Sequence, residues 1–531
     1  MPTDAIDFRD TNYFSDFICD YLDQKPELKQ FFNRFPTLEN FRAQINEKES
    51  CHPERGRRVL VQAIEKQYQN LNTSHATQKN INSLTSQNTF TITTGHQLNL
   101  FTGPLYFLYK IISTIKLTEQ LKNEYPNYNF VPVFWMASED HDFEEINYFN
   151  FRGKKIHWNS AQTGAVGRFN TKGLDAVYEV ISAEFGTGQQ AENLKSWFKK
   201  AYLEHDNLTD ATRYLGNELF GQYGLIILDA DHRELKRLFI PHMKKELLEN
   251  TALRNVSRTN RKLEELDLTI QVNPRKINLF YIKDGLRERI VEIEGRYTVL
   301  ETNIYWSEED LLQHLDDYPE RFSPNVIMRP LYQEVILPNL SYIGGGGEMI
   351  YWLQLKSTFK AQGVTFPMLL LRNSALVKTE KQAKKLEKLH ISNADLFLKR
   401  SSFINKRVRK ISNIDIDFSE QVQYLVQQFE QLYKLAEQTD KSFIGAVKAQ
   451  EVKQIKGLKH LEKRLMTAQK RKLSNQIERA TDLQEQLFPN QSLQERNLNF
   501  SELYLEFGEE LIPQLMKELE PLSRKFSVLI I

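Results

Sequence analysis

The sequence predicts an α/β protein built on a parallel sheet, with a long helical segment in its last third. Three observations predict this. Apolar runs at residues 90–93, 130–135 and 225–228 are joined by turn signals and helix-like stretches, and repeated strand–turn–helix units build parallel sheets. Residues 267–300 alternate between apolar and polar around Asp284-Gly285 and Glu294-Gly295, which predicts a small antiparallel insertion with hairpin turns. Residues 376–488 are rich in Lys, Gln, Glu and Leu. Their apolar residues step by three and four (Val422, Leu425, Phe429, Leu432, Ala436; then Leu458, Leu461, Leu465, Ala468; then Leu473, Ile477, Ala480, Leu487), which is heptad spacing.

Taken in order, residues 1–89 read as short amphipathic helices, the best at 57–72, and then an Asn/Thr/Ser/Gln-rich connector. The β-branched run at 90–93 ends in Gly95. Thr102-Gly103-Pro104 is a helix start signal, and that helix is expected to reach about Lys122. A strand at 130–135 closes the unit on Ser138-Glu139-Asp140-His141-Asp142. Residues 174–185 and 189–204 are expected helices. The run 225–228 is a buried-type strand ending in Asp229-Ala230-Asp231, with a helix at 235–248 behind it. Strands are expected at 269–272 and within the alternating stretch to 300, and a short helix at 307–318. Then come a strand at 326–328, a helix or turn at 332–337, a strand at 341–343, the four-glycine loop Gly344-Gly345-Gly346-Gly347, a helix from Glu348 to Phe359, and a strand at 366–371. The heptads predict an antiparallel hairpin interrupted at residues 440–446 and at Gly457. The tail carries a helix at 508–519 and an apolar strand at 526–531 that returns to a core. The domain reading is a core over residues 1–375, with insertions near 150–210 and 255–320, a coiled-coil domain over 376–494, and a returning segment over 495–531.

Composition narrows the function. The 531 residues are 40% hydrophobic and 26% charged, ordinary for a globular chain with several domains. Lys+Arg 70 against Asp+Glu 69 leaves a net charge of +1, so no global pull toward nucleic acid or an anionic membrane follows. Lys399–Lys410 reads as a solvated basic helix face. The two cysteines, Cys19 and Cys51, exclude a disulfide framework and make a cysteine metal cluster implausible. The acidic N-terminus lacks a leader's apolar run, and no stretch of 18 apolar residues exists, so the expected compartment is the cytoplasm.

Three constellations carry possible chemistry. Thr94-Gly95-His96-Gln97, with Gly103-Pro104, forms a turn whose backbone can approach a phosphate near a helix start; the plainer alternative is a tight β–α turn with a structural histidine. It is not a P-loop, because no Gly-Lys-Ser/Thr follows. Glu139, Asp140, His141 and Asp142 place three acids and an imidazole at a strand end, suited to acid–base work or Mg²⁺ binding; the alternative is a solvated acidic loop. Gly344–Gly347 before Glu348 resembles a second anion loop at a helix start, with a plain flexible loop as the alternative. Upstream lie Arg329, able to grip a carboxylate with two donors, and Gln333. Trp135, Arg329, Gln333, Glu348 and Tyr351 are the substrate-binding candidates.

Three stretches also carry a family resemblance: TGHQLNLFTGPLYFLYK (94–110), VPVFWMASEDHDFEEIN (131–147) and SPNVIMRPLYQEVILPNLSYIGGGGEMIYWLQLK (323–356). In these the chain resembles the bacillithiol biosynthesis cysteine-adding enzymes, the cysteine ligases of that pathway, over nearly its whole length. The resemblance implies a Rossmann-like core similar in shape to class I nucleotidyl-transferring enzymes, connecting insertions, and a coiled coil that forms a homodimer. It implies a reaction joining the carboxyl of cysteine to the amine of glucosaminyl-malate. ATP with Mg²⁺ would activate the carboxyl, the glycine turns holding phosphate and one of the acids accepting the amine proton. Two positions depart from the family pattern, which often has Gln in place of His96 and Pro within the glycine loop at Gly345-Gly346. The rival readings are a nucleotide-binding scaffold and a nucleotidyl transferase acting on another small metabolite.

Overall fold

The computed structural model describes residues 4–49 and 54–531. Cys51 lies outside the described residues, and Cys19 is a buried free thiol. The chain divides into two compact units, residues 1–377 with 494–531, and residues 378–493.

The first unit is organised by five parallel strands: β1 (Thr89–His96), β2 (Asn129–Met136), β3 (Ile226–Asp229), β4 (Asn339–Gly344) and β5 (Met368–Leu371). Their order is β5-β4-β1-β2-β3, with every neighbouring pair parallel. Helices cover both faces, so β1 is buried along its whole length. That explains why it reads as a continuous run rather than an alternation. Its buried threonines are satisfied within the sheet. Thr91 and Thr93 donate to Asn339 Oδ1 at 3.2 and 2.8 Å, and Thr94 donates to the Ile343 carbonyl at 2.8 Å. The chain runs one way from β1 to β3 and then returns to the other side of β1 as β4. The loops leaving β1 and β4 therefore part, and they open a crevice at the carboxyl ends of the strands, where open α/β sheets hold ligands.

Four helices matter for that crevice: α1 (Tyr106–Glu124), α2 (Arg233–Glu249), α3 (Arg329–Ile336) and α4 (Gly346–Leu353). Helix α1 starts at Tyr106 rather than at Gly103-Pro104. Phe101, Thr102 and Gly103 adopt positive φ values of 48, 69 and 65°. The turn is pinned by Asn499, whose amide donates to the Phe101 and Gly103 carbonyls at 2.8 and 2.7 Å. The expected helix from Glu348 to Phe359 is two helices, Gly346–Leu353 and Lys356–Gln362, parted by a tight turn at Gln354-Leu355.

The insertion between α2 and α3 holds two helices, Thr251–Glu265 and Glu308–Asp317, and an antiparallel sheet of Leu279–Lys283, Leu286–Ile293, Arg296–Val299, Tyr305–Trp306 and Phe322–Pro324. Two expected strands are absent. Residues 269–272 lack a ladder partner; Gln354 Oε1 instead accepts from the Gln271 and Val272 amides at 3.0 and 3.1 Å. Residues 326–328 form a turn because Asn325 Oδ1 accepts from the Ile327 and Met328 amides. The tail strand, Lys525–Ile530, pairs antiparallel with Asp4–Asp7.

In the second unit, helices Ser419–Ala436 and Lys441–Lys472 form a hairpin around Phe429, Ala436 and Val447. The longer helix runs straight through Gly457. A single glycine costs a helix interior about 1 kcal/mol, which 32 residues absorb. No helix among the described residues is long and apolar enough to cross a membrane.

Candidate active site

A cleft of about 700 Å³ opens over the ends of β1, β2 and β4. One half is built by β1, α1 and α4. Lys110, one helical turn after Tyr106 on the same face of α1, is buried and donates to the Gly95 carbonyl at 2.7 Å. It also pairs with Glu348 Oε2 at 2.6 Å. That carboxylate receives the Gly345 amide at 2.8 Å on the same oxygen, and the Tyr342 hydroxyl at 2.7 Å on the other. Burial alone would raise the Glu348 pKa, but Lys110 and these donors hold it below the ordinary value. Gly95 is needed here: a Cβ would sit 3.1 Å from the Tyr342 hydroxyl.

Among the described residues, three buried nitrogens lining this half make no hydrogen bond: Arg329 Nη2, Arg372 Nε and His96 Nε2. Buried polar groups are normally satisfied, so these mark positions where a ligand's acceptors would complete the wall. The other η nitrogens of both arginines are held. Arg329 Nη1 donates to Gln333 at 3.1 Å, and its guanidinium lies 5.6 Å from the Tyr342 ring centre. Arg372 Nη2 donates to Glu495 at 2.7 Å, and its guanidinium lies 5.0 Å over Tyr106. Burial, then the charges of Lys110 and Arg372, push the His96 pKa well below its usual value, so the ring is neutral. With Gly345, Gly346 and Gly347 at the start of α4, this half suits an anion.

The other half lies at the ends of β2 and β3. Glu139 is ion-paired with the buried Lys236. Burial raises its pKa against that pairing. Lys236 also reaches Asp231 at 3.4 Å, and Arg168 grips Asp231 at 2.8 and 3.1 Å. Burial alone would raise Asp231, but these two cations hold it below the carboxylate range. Ser138 donates to Asp229, whose pKa is raised by burial and then by the charge of Asp231. Asp140 accepts from Gln97 Nε2 at 2.9 Å on one oxygen and from the His141 amide at 2.8 Å on the other. His141 Nδ1 meets Arg287 Nη1 at 2.6 Å. Asp142 has no such donor among the described residues; its side chain is 58% exposed, 4.0 Å from His141 Nε2.

The cleft thus gathers Gly95, His96, Gln97, Trp135, Glu139, Asp140, His141, Asp142, Arg329, Gly345, Gly346, Gly347, Glu348 and Tyr351. Thr94, Gly103, Pro104, Gln333 and Gly344 do not line it. Thr94 is spent on the sheet, Gly103-Pro104 on the turn held by Asn499, and Gln333 on orienting Arg329. Gly344 is a strand end whose carbonyl accepts from the Arg372 amide. Sequence reasoning missed Lys110, Lys236, Arg287, Arg372 and Arg496. Lys110 had a signal, its spacing from Tyr106. Arg287, Arg372 and Arg496 arrive from the insertion, the end of β5 and the returning tail, and only the topology brings them together.

Fold and cleft define an α/β enzyme with a Rossmann-like sheet and its site at the switch point. Residues 1–373 match the family described as bacillithiol biosynthesis BshC, N-terminal Rossmann-like domain, and residues 375–531 its C-terminal coiled-coil domain. The chain belongs to the BshC family. A relative from Christiangramia forsetii is 60% identical, covering 100% of this chain and 99% of the relative. One from Flavobacterium johnsoniae is 59% identical over 100% of both chains, and one from Cytophaga hutchinsonii 39% identical over 98% and 97%. Each bears the name "Putative cysteine ligase BshC". The chain is a ligase of bacillithiol biosynthesis.

Proposed function

We propose that this ligase joins the carboxyl of L-cysteine to the amine of glucosaminyl-malate, the last step of bacillithiol biosynthesis, with ATP as co-substrate. The observation that carries the reading is the division of one cleft into a cationic half with unsatisfied donors and an acidic rim. Amide formation needs both: donors to hold anionic groups, and a base for the amine. ATP, when bound, would turn the cysteine carboxyl oxygen into a leaving group. His96, Arg372 and the Gly345–Gly347 loop would hold its phosphates, a fit supported by the orphaned Arg372 Nε. Among the described residues no group of three or more His, Cys, Asp or Glu is assembled for a metal. Mg²⁺ would enter with the phosphates, its usual habit.

Arg329 would take a malyl carboxylate with its free Nη2. Of the four acid–base candidates this reading favours Asp142. Glu139 is neutralised by Lys236, both Asp140 oxygens hold donors, and His141 Nδ1 faces a guanidinium. Asp142 keeps a carboxylate open at the cleft edge to accept the amine proton. The exposed Tyr424, Leu432, Leu435, Val452 and Leu461 on the helical hairpin support a homodimer through the coiled coil. In this reading the ligase works in the cytoplasm on small-molecule substrates, without a nucleic acid or membrane partner. In a strain deleted for this chain, glucosaminyl-malate accumulates and bacillithiol is lost. Normal bacillithiol in that strain defeats the proposal.

A further inference from the structure

We propose that Arg287 is a positioning residue that fixes His141 as its Nε2–H tautomer, so the imidazole acts in the cleft only as a hydrogen-bond donor. The catalytic consequence rests on the ligase reading; the tautomer does not.

Arg287 reaches the acidic rim from the insertion strand Leu286–Ile293. Only 9% exposed, it is fixed on several sides. Its Nε donates to Ser323 Oγ at 3.3 Å, its Nη2 points to the Pro324 carbonyl at 3.5 Å, and its guanidinium carbon lies 4.0 Å over the Phe280 ring. Phe280 also packs on the His141 ring, centroids 5.7 Å apart. What remains, Nη1, meets His141 Nδ1 at 2.6 Å.

A guanidinium carries five N–H donors and no acceptor. Nδ1 must therefore present its lone pair, and the proton of a neutral imidazole sits on Nε2. One neighbour pulls the other way: Asp140 Oδ1 lies 3.7 Å from Nδ1 and would favour a proton there. That oxygen already accepts the His141 amide at 2.8 Å, and the guanidinium is the closer group, so Arg287 prevails. Nε2–H then points into the gap before Asp142 Oδ1. At 4.0 Å this gap is too wide for a direct hydrogen bond and leaves the donor for a bound substrate. His141 cannot take the amine proton. It donates from Nε2 to the carbonyl oxygen as charge develops there, while Asp142 accepts the proton.

The test is nitrogen NMR of the full-length protein labelled in its histidines. The His141 ring is assigned by the loss of its signals in His141→Gln. The expected wild-type ring is the Nε2–H tautomer. Arg287→Met, which keeps the apolar stem on Phe280, shifts it toward Nδ1–H, and Arg287→Lys holds it. In the coupling assay Arg287→Met lowers kcat by roughly 10²-fold with KM little changed, and Arg287→Lys restores part of the rate. A wild-type ring protonated at Nδ1, or a tautomer unmoved by Arg287→Met, overturns the proposal. The spectrum needs no turnover, so a failure of the ligase reading leaves this result separately legible.

Discussion

Lys110 and Glu348 meet at 2.6 Å between the helix that follows β1 and the helix that follows β4. The contact ties the two loops that part at the switch point, and it is mostly withdrawn from water. Removing one partner leaves the other charge uncompensated, at about 3–5 kcal/mol. Lys110→Met therefore unfolds at lower denaturant concentration, and pairing it with Glu348→Gln recovers part of the loss. Urea unfolding of the two singles and the double measures this; strict additivity would count against it. The Glu348 contribution is present above the ordinary carboxylate pKa and fades as pH falls through its depressed folded value.

Glu246 has the opposite sign. Burial raises its pKa to about 7, against the Asn278 amide and the Ala252 N–H that it accepts. Its folded form therefore binds a proton that the unfolded form has already released. The stabilisation is full below about pH 4.5 and is lost as pH rises through about 7, roughly 3 kcal/mol in all. Glu246→Gln removes this slope, so its stability relative to wild type improves from pH 5 to 8. A constant difference would refute it. The position bears on the site, because Asn278, 2.7 Å from Glu246, also accepts from Asn325, the residue that shapes the turn into Arg329.

Sheet, insertion and hairpin were legible because their periodicities differ: continuous buried runs for β1 to β3, alternation at residues 279–299, and heptads after 419. What was not legible depended on side chains replacing ladders. Gln354 accepts from the amides of residues 271–272 in place of a ladder, and Asn325 turns residues 326–328 that read as β-branched and apolar. At the site, residues on contiguous motifs were found except Lys110, whereas Arg287 and Arg372, which reach the cleft from segments far off in sequence, and Lys236, which pairs with Glu139, were not. Four adjacent residues, 139–142, looked equivalent in the sequence. Their partners make them different.

Arg329 is buried among Trp135, Tyr342 and Trp352, and its Nη2 makes no hydrogen bond among the described residues. Lysine lacks the planar fork that stacks there. Arg329→Lys is expected to raise KM for glucosaminyl-malate about 10–100-fold, the worth of a charged hydrogen bond, and to leave KM for cysteine unchanged. Steady-state kinetics with each substrate varied in turn decides it. Equal changes in both constants would place Arg329 elsewhere.

The helical hairpin leaves Leu435 and Leu461 exposed. Light scattering should give a dimer for the full chain and a monomer for Leu435→Glu combined with Leu461→Glu, with helix content retained. A monomeric wild-type chain would remove the dimer proposal and leave the cleft untouched.

That one cleft couples an activated cysteine carboxyl to a sugar amine, with Asp142 as the base, is the core of the proposal. It is tested most directly by incubating the purified chain with cysteine, glucosaminyl-malate and Mg-ATP and following the product by mass spectrometry. The expected result is bacillithiol that requires all three substrates, and a loss of roughly 10²–10⁴-fold in kcat for Asp142→Asn. No product from the complete mixture, or an Asp142→Asn variant as fast as wild type, would contradict it.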